Sequence, residues 1–148
     1  MKVDETDKKI LRNLQVDARS SARQLGLRLG LSTLTVLTRI KKLEKEKIIQ
    51  GYTSRLDDEK LGYELTAIIE IKAGPGKVIE VERRIAEHEN VIAVYDVTGT
   101  TDMIVIAKFQ SREDLSMFVK TISSETCIEN TISHIVLNTI KEDFRLEI

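Results

Sequence analysis

The chain has 148 residues, of which 32% are charged and 41% hydrophobic, with one cysteine, one proline, no tryptophan and a formal net charge of −1. The lone cysteine, Cys127, excludes an intramolecular disulfide and a C-x-x-C metal pair. No apolar run reaches the ~20 residues of a membrane span, and the N-terminus lacks a signal-peptide pattern, so a cytoplasmic protein with no membrane partner is expected.

The near-zero charge conceals a division. Residues 1–56 hold 13 Lys and Arg against 6 Asp and Glu, a balance of +7, whereas residues 57–148 hold 10 against 18, a balance of −8. A basic half beside an acidic half suggests that the basic one meets a polyanion. The composition breaks near residue 50, so two small domains are expected, each marginal alone because a small core buries proportionally little surface. Oligomerisation is a reasonable expectation from size.

Taken in order, the first helix is announced by Asp4 as cap, with Ile10, Leu11 and Leu14 at helical spacing, and is interrupted by Asp17-Ala18-Arg19-Ser20. Ser21-Ala22-Arg23-Gln24 has the form of a capping box and opens a short second helix with Leu25 and Leu29 on its apolar stripe. Gly26 leaves room for a close neighbour, and Gly30 suits a left-handed end. Ser32 then caps a third helix running to about Lys45, with Val36, Ile40 and Leu43 on the buried side. Two short helices joined by a glycine-containing turn form the helix-turn-helix arrangement, although an ordinary α-hairpin carries the same punctuation. The charge excess favours DNA.

On the third helix the side opposite the apolar stripe carries Leu34, Thr35, Thr38, Lys41, Lys42 and Lys45, with Ser32 and Arg39 at its margins. Hydroxyls and one apolar residue near the start suit base edges, and cations suit phosphates. The candidate DNA-contacting set is Ser32, Thr33, Leu34, Thr35, Thr38, Arg39 and Lys42. From the margin Arg39 can either reach DNA or brace a neighbouring helix. The remaining lysines read as a solvated face, partly neutralised by Glu44 and Glu46.

Residues 51–64 lack helical periodicity and form a linker, whose part from Tyr52 to Leu56 is a candidate strand. A β-α-β-β-α-β order follows, with strands expected over Leu65 to Ala73, Val91 to Thr98, Met103 to Phe109 and Thr131 to Ile140. One helix carries Val78, Val81 and Ile85. The other starts at Ser111, with Asp114 in a box-like spacing, and buries Leu115, Phe118, Val119 and Ile122. This is the order of the ferredoxin-like fold. Both crossover helices cover one face of such a sheet, yet Ile68, Ile104 and Ile106 alternate onto the other, so a homodimer through this domain is predicted.

The loop Thr98-Gly99-Thr100-Thr101-Asp102 joins two adjacent strands and reads either as an ordinary hairpin turn or as a small-ligand site in which Asp102 meets an ammonium group. No nucleophile motif or phosphate loop appears, and His88 and His134 lack ligand-spaced neighbours. No catalytic residue, metal site or required cofactor is therefore expected.

The segments Asp4-Glu5-Thr6-Asp7-Lys8-Lys9-Ile10-Leu11, Leu29-Gly30-Leu31-Ser32, Arg39-Ile40-Lys41-Lys42-Leu43-Glu44 and Ile49-Gln50-Gly51-Tyr52 resemble the leucine-responsive (Lrp/AsnC, or feast/famine) family of transcription regulators, and the likeness covers essentially the whole chain. The resemblance implies an α+β protein with an N-terminal three-helix, winged helix-turn-helix (residues 1–50), the linker strand (51–64) and a ferredoxin-like effector and oligomerisation domain (65–148). It implies dimers that assemble into tetramers, octamers or larger rings, and an amino acid or related metabolite as effector. Carried over by position, Gly99, Thr101 and Asp102 would line the effector site, with Thr131 and Ser133 as weaker candidates from a neighbouring subunit. Lys47 stands where the family commonly ends the recognition helix with glycine, and Gly26 stands where alanine is usual. The expectation is a sequence-specific regulator acting on double-stranded promoter DNA. The alternatives are an effector-independent DNA organiser and, from another class, the amino-acid-binding subunit of a metabolic enzyme.

Overall fold

Side-chain caps set the starts of the N-terminal helices. In the computed structural model, which describes residues 2–148, α1 spans Glu5–Val16, α2 Ala22–Leu29 and α3 Thr33–Lys45. Asp4 accepts from the Asp7 amide at 2.8 Å while the Asp7 carboxylate accepts from the Asp4 amide at 3.2 Å, a reciprocal box at the start of α1. Ser21 and Gln24 do the same for α2. Ile10, Leu14, Leu25 and Val36, each from a predicted apolar stripe, form the buried cluster that joins the three helices.

The close approach expected at Gly26 is to the turn after α2. A Cβ there would stand 2.6 Å from the Leu31 carbonyl oxygen. Gly30 is left-handed, φ 67°, as its position predicts.

The end of α3 departs from expectation. Lys47 itself takes the left-handed conformation, φ 58°, the one described non-glycine residue with positive φ. Its amide donates to the Glu44 carbonyl at 3.0 Å and the Ile48 amide to the Leu43 carbonyl at 2.9 Å, the paired bonds of a Schellman turn. The hydrogen bonds of that turn hold a lysine where glycine fits without a Cβ penalty. Lys47→Gly is therefore expected to stabilise the helical unit by about 1 kcal/mol, read as a higher urea midpoint with unchanged helix content.

No wing and no linker strand form among the described residues between α3 and residue 64. The segment 51–57 runs without a ladder, followed by a single 3-10 turn over Glu59–Leu61. The β-favouring residues from Tyr52 to Leu56 have no paired strand there, and a strand exists only with a partner to bond.

The chain divides into two units, one of residues 1–55 with 142–148, the other of residues 56–141. Within the first, the Gln15 side chain grips the backbone of the tail. Its Oε1 accepts from the Leu146 amide at 2.7 Å and its Nε2 donates to the Leu146 carbonyl at 3.0 Å. Arg12 Nε donates to the Ile148 carbonyl.

The second unit is a four-stranded antiparallel sheet of β1 (Leu65–Ala73), β2 (Val91–Asp96), β3 (Met103–Phe109) and β4 (Ile128–Ile135), in the order β2-β3-β1-β4. The helices α4 (Val78–Ala86) and α5 (Arg112–Ser123) are the two crossovers, giving the ferredoxin-like arrangement. Ile69, Ile71, Met103, Val105 and Phe109 on one face pack with Val81, Ile85, Phe118 and Ile122 of the helices.

Two strands have other limits than expected. The last strand is Ile128–Ile135, not Thr131 to Ile140, because the ladder with β1 fixes it. Ile135 pairs with Ala67, the Val136 amide reaches Thr66, and β1 begins at Leu65, which leaves residues 137–140 nothing to pair with. Leu137 and Ile140 are accordingly more than nine-tenths exposed despite their apolar character. Strand β2 ends at Asp96 because the Val97 amide closes the following loop onto the Asp102 carbonyl at 3.0 Å.

On the helix-free face the register aligns Tyr95, Ile104, Glu70 and Ile132 in one row and Ala93, Ile106, Ile68 and His134 in the next. Glu70 and His134 pair at 2.9 Å across this apolar surface.

Candidate nucleic-acid interface and ligand loop

The recognition helix is set by its first turn. Ser32 Oγ accepts from the Thr35 amide at 3.0 Å and lies 2.8 Å from the Thr35 hydroxyl. Val36 and Leu43 are buried, which turns Leu34, Thr38 and Lys42 outward. Leu34 is 74% exposed, a large apolar side chain offered to solvent from the helix start.

Five of the seven predicted residues share one open cleft of about 470 Å³: Leu34, Thr35, Thr38, Arg39 and Lys42, together with Asp4 and Asp7. Ser32 stands at the cap and Thr33 is exposed on the first turn, outside that lining. The Thr38 hydroxyl donates to the Leu34 carbonyl at 2.9 Å, so toward a ligand it acts as an acceptor.

The two acidic members were not singled out from sequence for this site. Arg39 Nη1 lies 2.7 Å from an Asp7 oxygen and 2.7 and 2.9 Å from the two Asp4 oxygens. The ion pair therefore ties α3 to the start of α1, with the Asp7 carboxylate nearly buried. The only signal in the sequence was Arg39's marginal place on the helical wheel.

Hydrogen bonding from Arg39, and secondarily from the Asp7 amide, holds the Asp4 carboxyl below its ordinary value of 3.8. A depressed folded-state value contributes stability that is complete above the ordinary value and is lost as pH falls through the lowered one. The helical unit is thus expected to melt at lower temperature as pH drops below 4. Asp4→Asn, which keeps a capping oxygen, should show a flatter profile in a pH series of thermal melts.

In the second unit the loop after β2 is fastened to the end of β1. The Asp102 amide donates to the Ile71 carbonyl at 3.1 Å, the Thr101 hydroxyl donates to the same carbonyl at 3.0 Å, and the Asp102 carboxylate accepts from the Ala73 amide at 2.8 Å. Gly99 supplies φ 128°, a conformation L side chains rarely take. Thr131 pairs with Ile71 on the other flank of β1, its hydroxyl 3.0 Å from that of Ser123, and Ser133 follows opposite Ile69. The loop and β4 therefore meet at one end of β1, on opposite sides. One carboxylate oxygen of Asp102 serves the backbone, a role the sequence did not disclose.

Among the described residues no group of three or more His, Cys, Asp or Glu side chains could hold a metal ion. No described helix is long and apolar enough to cross a membrane. His88 stacks edge-on against Phe118, with ring centroids 4.6 Å apart.

Comparison with known proteins decides the family. Residues 3–44 match the AsnC-type helix-turn-helix domain and residues 66–146 the Lrp/AsnC ligand binding domain. The chain belongs to the Lrp/AsnC family. An uncharacterised HTH-type transcriptional regulator of Pyrococcus furiosus is 52% identical over 99% of both chains. The HTH-type transcriptional regulator FL11 of Pyrococcus horikoshii is 37% identical, covering 99% of this chain and 97% of its own. Among solved structures, a transcriptional regulator of Neisseria meningitidis in complex with L-Met shares 30% identity, with a TM-score of 0.91 over 99% of this chain and 97% of that one. This Lrp/AsnC regulator therefore joins a DNA-binding type of helical unit to a ligand-binding type of α+β unit.

Proposed function

We propose that this Lrp/AsnC protein is a sequence-specific transcriptional regulator that binds promoter DNA through α3 and is modulated by an amino acid or related metabolite at the loop Gly99 to Asp102. The observation that carries the DNA reading is the cleft that brings Leu34, Thr35, Thr38, Arg39 and Lys42 together on an exposed helix face. Leu34 meets a thymine methyl, Thr35 and Thr38 meet base edges, Lys42 meets a phosphate, and Ser32 and Thr33 meet the backbone near the helix start. The helix-free face of the sheet, with Ile68, Ile104, Ile106 and Ile132, joins two copies. Dimers, assembled further into tetramers, octamers or larger rings, place recognition helices in successive major grooves roughly 34–36 Å apart. Such a protein works in the compartment that holds the DNA, the cytoplasm, without catalysis and without a required cofactor.

The effector reading rests on Gly99, Thr101 and Asp102, with Thr131 and Ser133 contributed at an interface between subunits. Ligand alters DNA affinity by binding one assembly better than another.

The test is binding to the upstream DNA of the protein's own gene against random DNA, at two salt concentrations, with and without each amino acid. Preference for the promoter by a factor of ~10³ or more, weakening as salt rises, is expected, as is a shift with one or a few amino acids. Asp102→Asn removes the charge but keeps an oxygen for the Ala73 amide, so it should abolish the amino-acid shift without changing assembly. An unchanged shift removes Asp102 from the site, and equal affinity for both DNAs removes the regulator reading.

A further inference from the structure

The ion pair at Arg39 is unusual in how little of the guanidinium it uses. Arginine and carboxylate commonly meet through two parallel bonds from two nitrogens. Here every hydrogen bond of Arg39 leaves from Nη1, which serves both oxygens of Asp4 and one of Asp7. Nε and Nη2 bond no described residue. Two carboxylates saturate one nitrogen, and the edge with the other two remains open while the side chain lines the cleft beside Thr35, Thr38 and Lys42.

Carboxylates on a DNA-facing surface are otherwise a liability, since they repel phosphate. Their placement makes sense if they fix an arginine. The side chain loses rotamer freedom on binding, and a guanidinium already held at one nitrogen has lost most of it beforehand. Asp7 is nearly buried and anchored in the capping box of α1, so the brace is built on the helix start itself.

We propose that Asp4 and Asp7 are positioning residues that pre-orient Arg39, so that its Nε–H and Nη2–H groups form a fixed two-pronged donor to a pair of acceptors on DNA. This rests on the DNA-binding function proposed above. It converts the two alternatives for Arg39, brace or reader, into one arrangement in which bracing makes the reader. The paired acceptors are either N7 and O6 of a guanine or two oxygens of a phosphate, which present the same chemistry to the fork.

The experiment uses the full chain and a duplex selected by the wild-type protein from a random pool, with every single-base-pair variant of it. Arg39→Lys, Asp4→Asn and the double variant are compared with wild type in affinity, in discrimination among the duplexes and in salt dependence. Asparagine caps helices as well as aspartate does, and Asp4→Ser provides a second variant that caps if the first melts early. Losing the Asp4 charge raises affinity for every DNA alike, so the ratio of specific to variant binding is the quantity that reports orientation.

If the acceptor is guanine, Arg39→Lys lowers discrimination at one base pair by about 5- to 100-fold. Asp4→Asn lowers it at that same base pair, and the double variant is no worse than Arg39→Lys alone. If the acceptor is phosphate, Arg39→Lys weakens all duplexes evenly and leaves the salt slope as in wild type, because the charge is kept, and the loss is smaller in the Asp4→Asn background. A loss from Arg39→Lys that is equal with and without the Asp4 charge overturns the proposal, as does a wild-type preference that ignores Arg39. A wild-type protein that selects no sequence and binds no duplex overturns the function itself together with this refinement.

Discussion

Leu25→Ala is expected to remove about half of the stability of the helical unit while leaving the sheet unit folded. Leu25 is fully buried among Ile10, Leu14 and Val36, in a core of four buried side chains with a few partly buried neighbours. Truncating a buried leucine costs about 2–5 kcal/mol through lost transfer free energy and the cavity left behind. A unit of residues 1–55 with 142–148 has a total stability of about 3–9 kcal/mol at ~0.05–0.15 kcal/mol per residue. The loss is thus a large share of the whole. Far-UV circular dichroism should show the helical transition moved to a much lower temperature with a second transition retained, and DNA binding should fail at temperatures where the sheet unit is still folded. A variant with full helix content and wild-type melting would mean that the cluster is not what holds the three helices together.

Phe109→Ala is expected to have the complementary effect on the sheet unit, at about 3–5 kcal/mol. Phe109 ends β3, is fully buried, and meets Phe118 of α5 at a ring distance of 5.3 Å, tilted by 55°. Phe118 in turn carries His88 on its edge. Removing Phe109 therefore empties the point where α5, β3 and the end of α4 converge. The urea midpoint of the sheet transition should fall by roughly 2 M or more, and assembly should weaken because the helix-free face depends on the strands being in place. A midpoint within a few tenths of a molar of wild type would show that the neighbouring side chains collapse into the space.

The sequence read well wherever structure is decided locally. The three N-terminal helices, their caps at Asp4, Ser21 and Ser32, and the left-handed Gly30 follow from hydrogen bonds between residues two to four apart. The order of strands and helices in the second unit follows from side-chain periodicity over a few residues. The exposed side of α3 could be drawn on a wheel, and the structure gathers five of its seven chosen residues into one cleft.

The two largest changes depend on partners distant in sequence. Among the described residues the linker segment pairs with no strand of this chain, and β-favouring side chains do not make a ladder without a second strand. The last strand shifted toward the N-terminus because β1 begins at Leu65 and its register with β4 decides which residues pair, whatever the β-branched content of residues 137–140. Lys47 shows a local override at one residue. Position 47 was read as lacking its usual left-handed glycine, yet the bonds to Leu43 and Glu44 impose that conformation on lysine.

Function divides along the same line. Charge distribution and helix punctuation by themselves pointed to a DNA-binding helical unit followed by a ferredoxin-like domain, because those signals are carried by neighbouring residues and by composition, while the ligand-sensing role came with the resemblance to the Lrp/AsnC family. Only the tertiary structure decided that Arg39 is held by Asp4 and Asp7 across more than thirty residues of chain, and that the Asp102 carboxylate serves the Ala73 amide. A hydrogen bond between distant residues leaves no periodic trace in a sequence. Its partners are chosen by the packing of elements that each fold for reasons of their own.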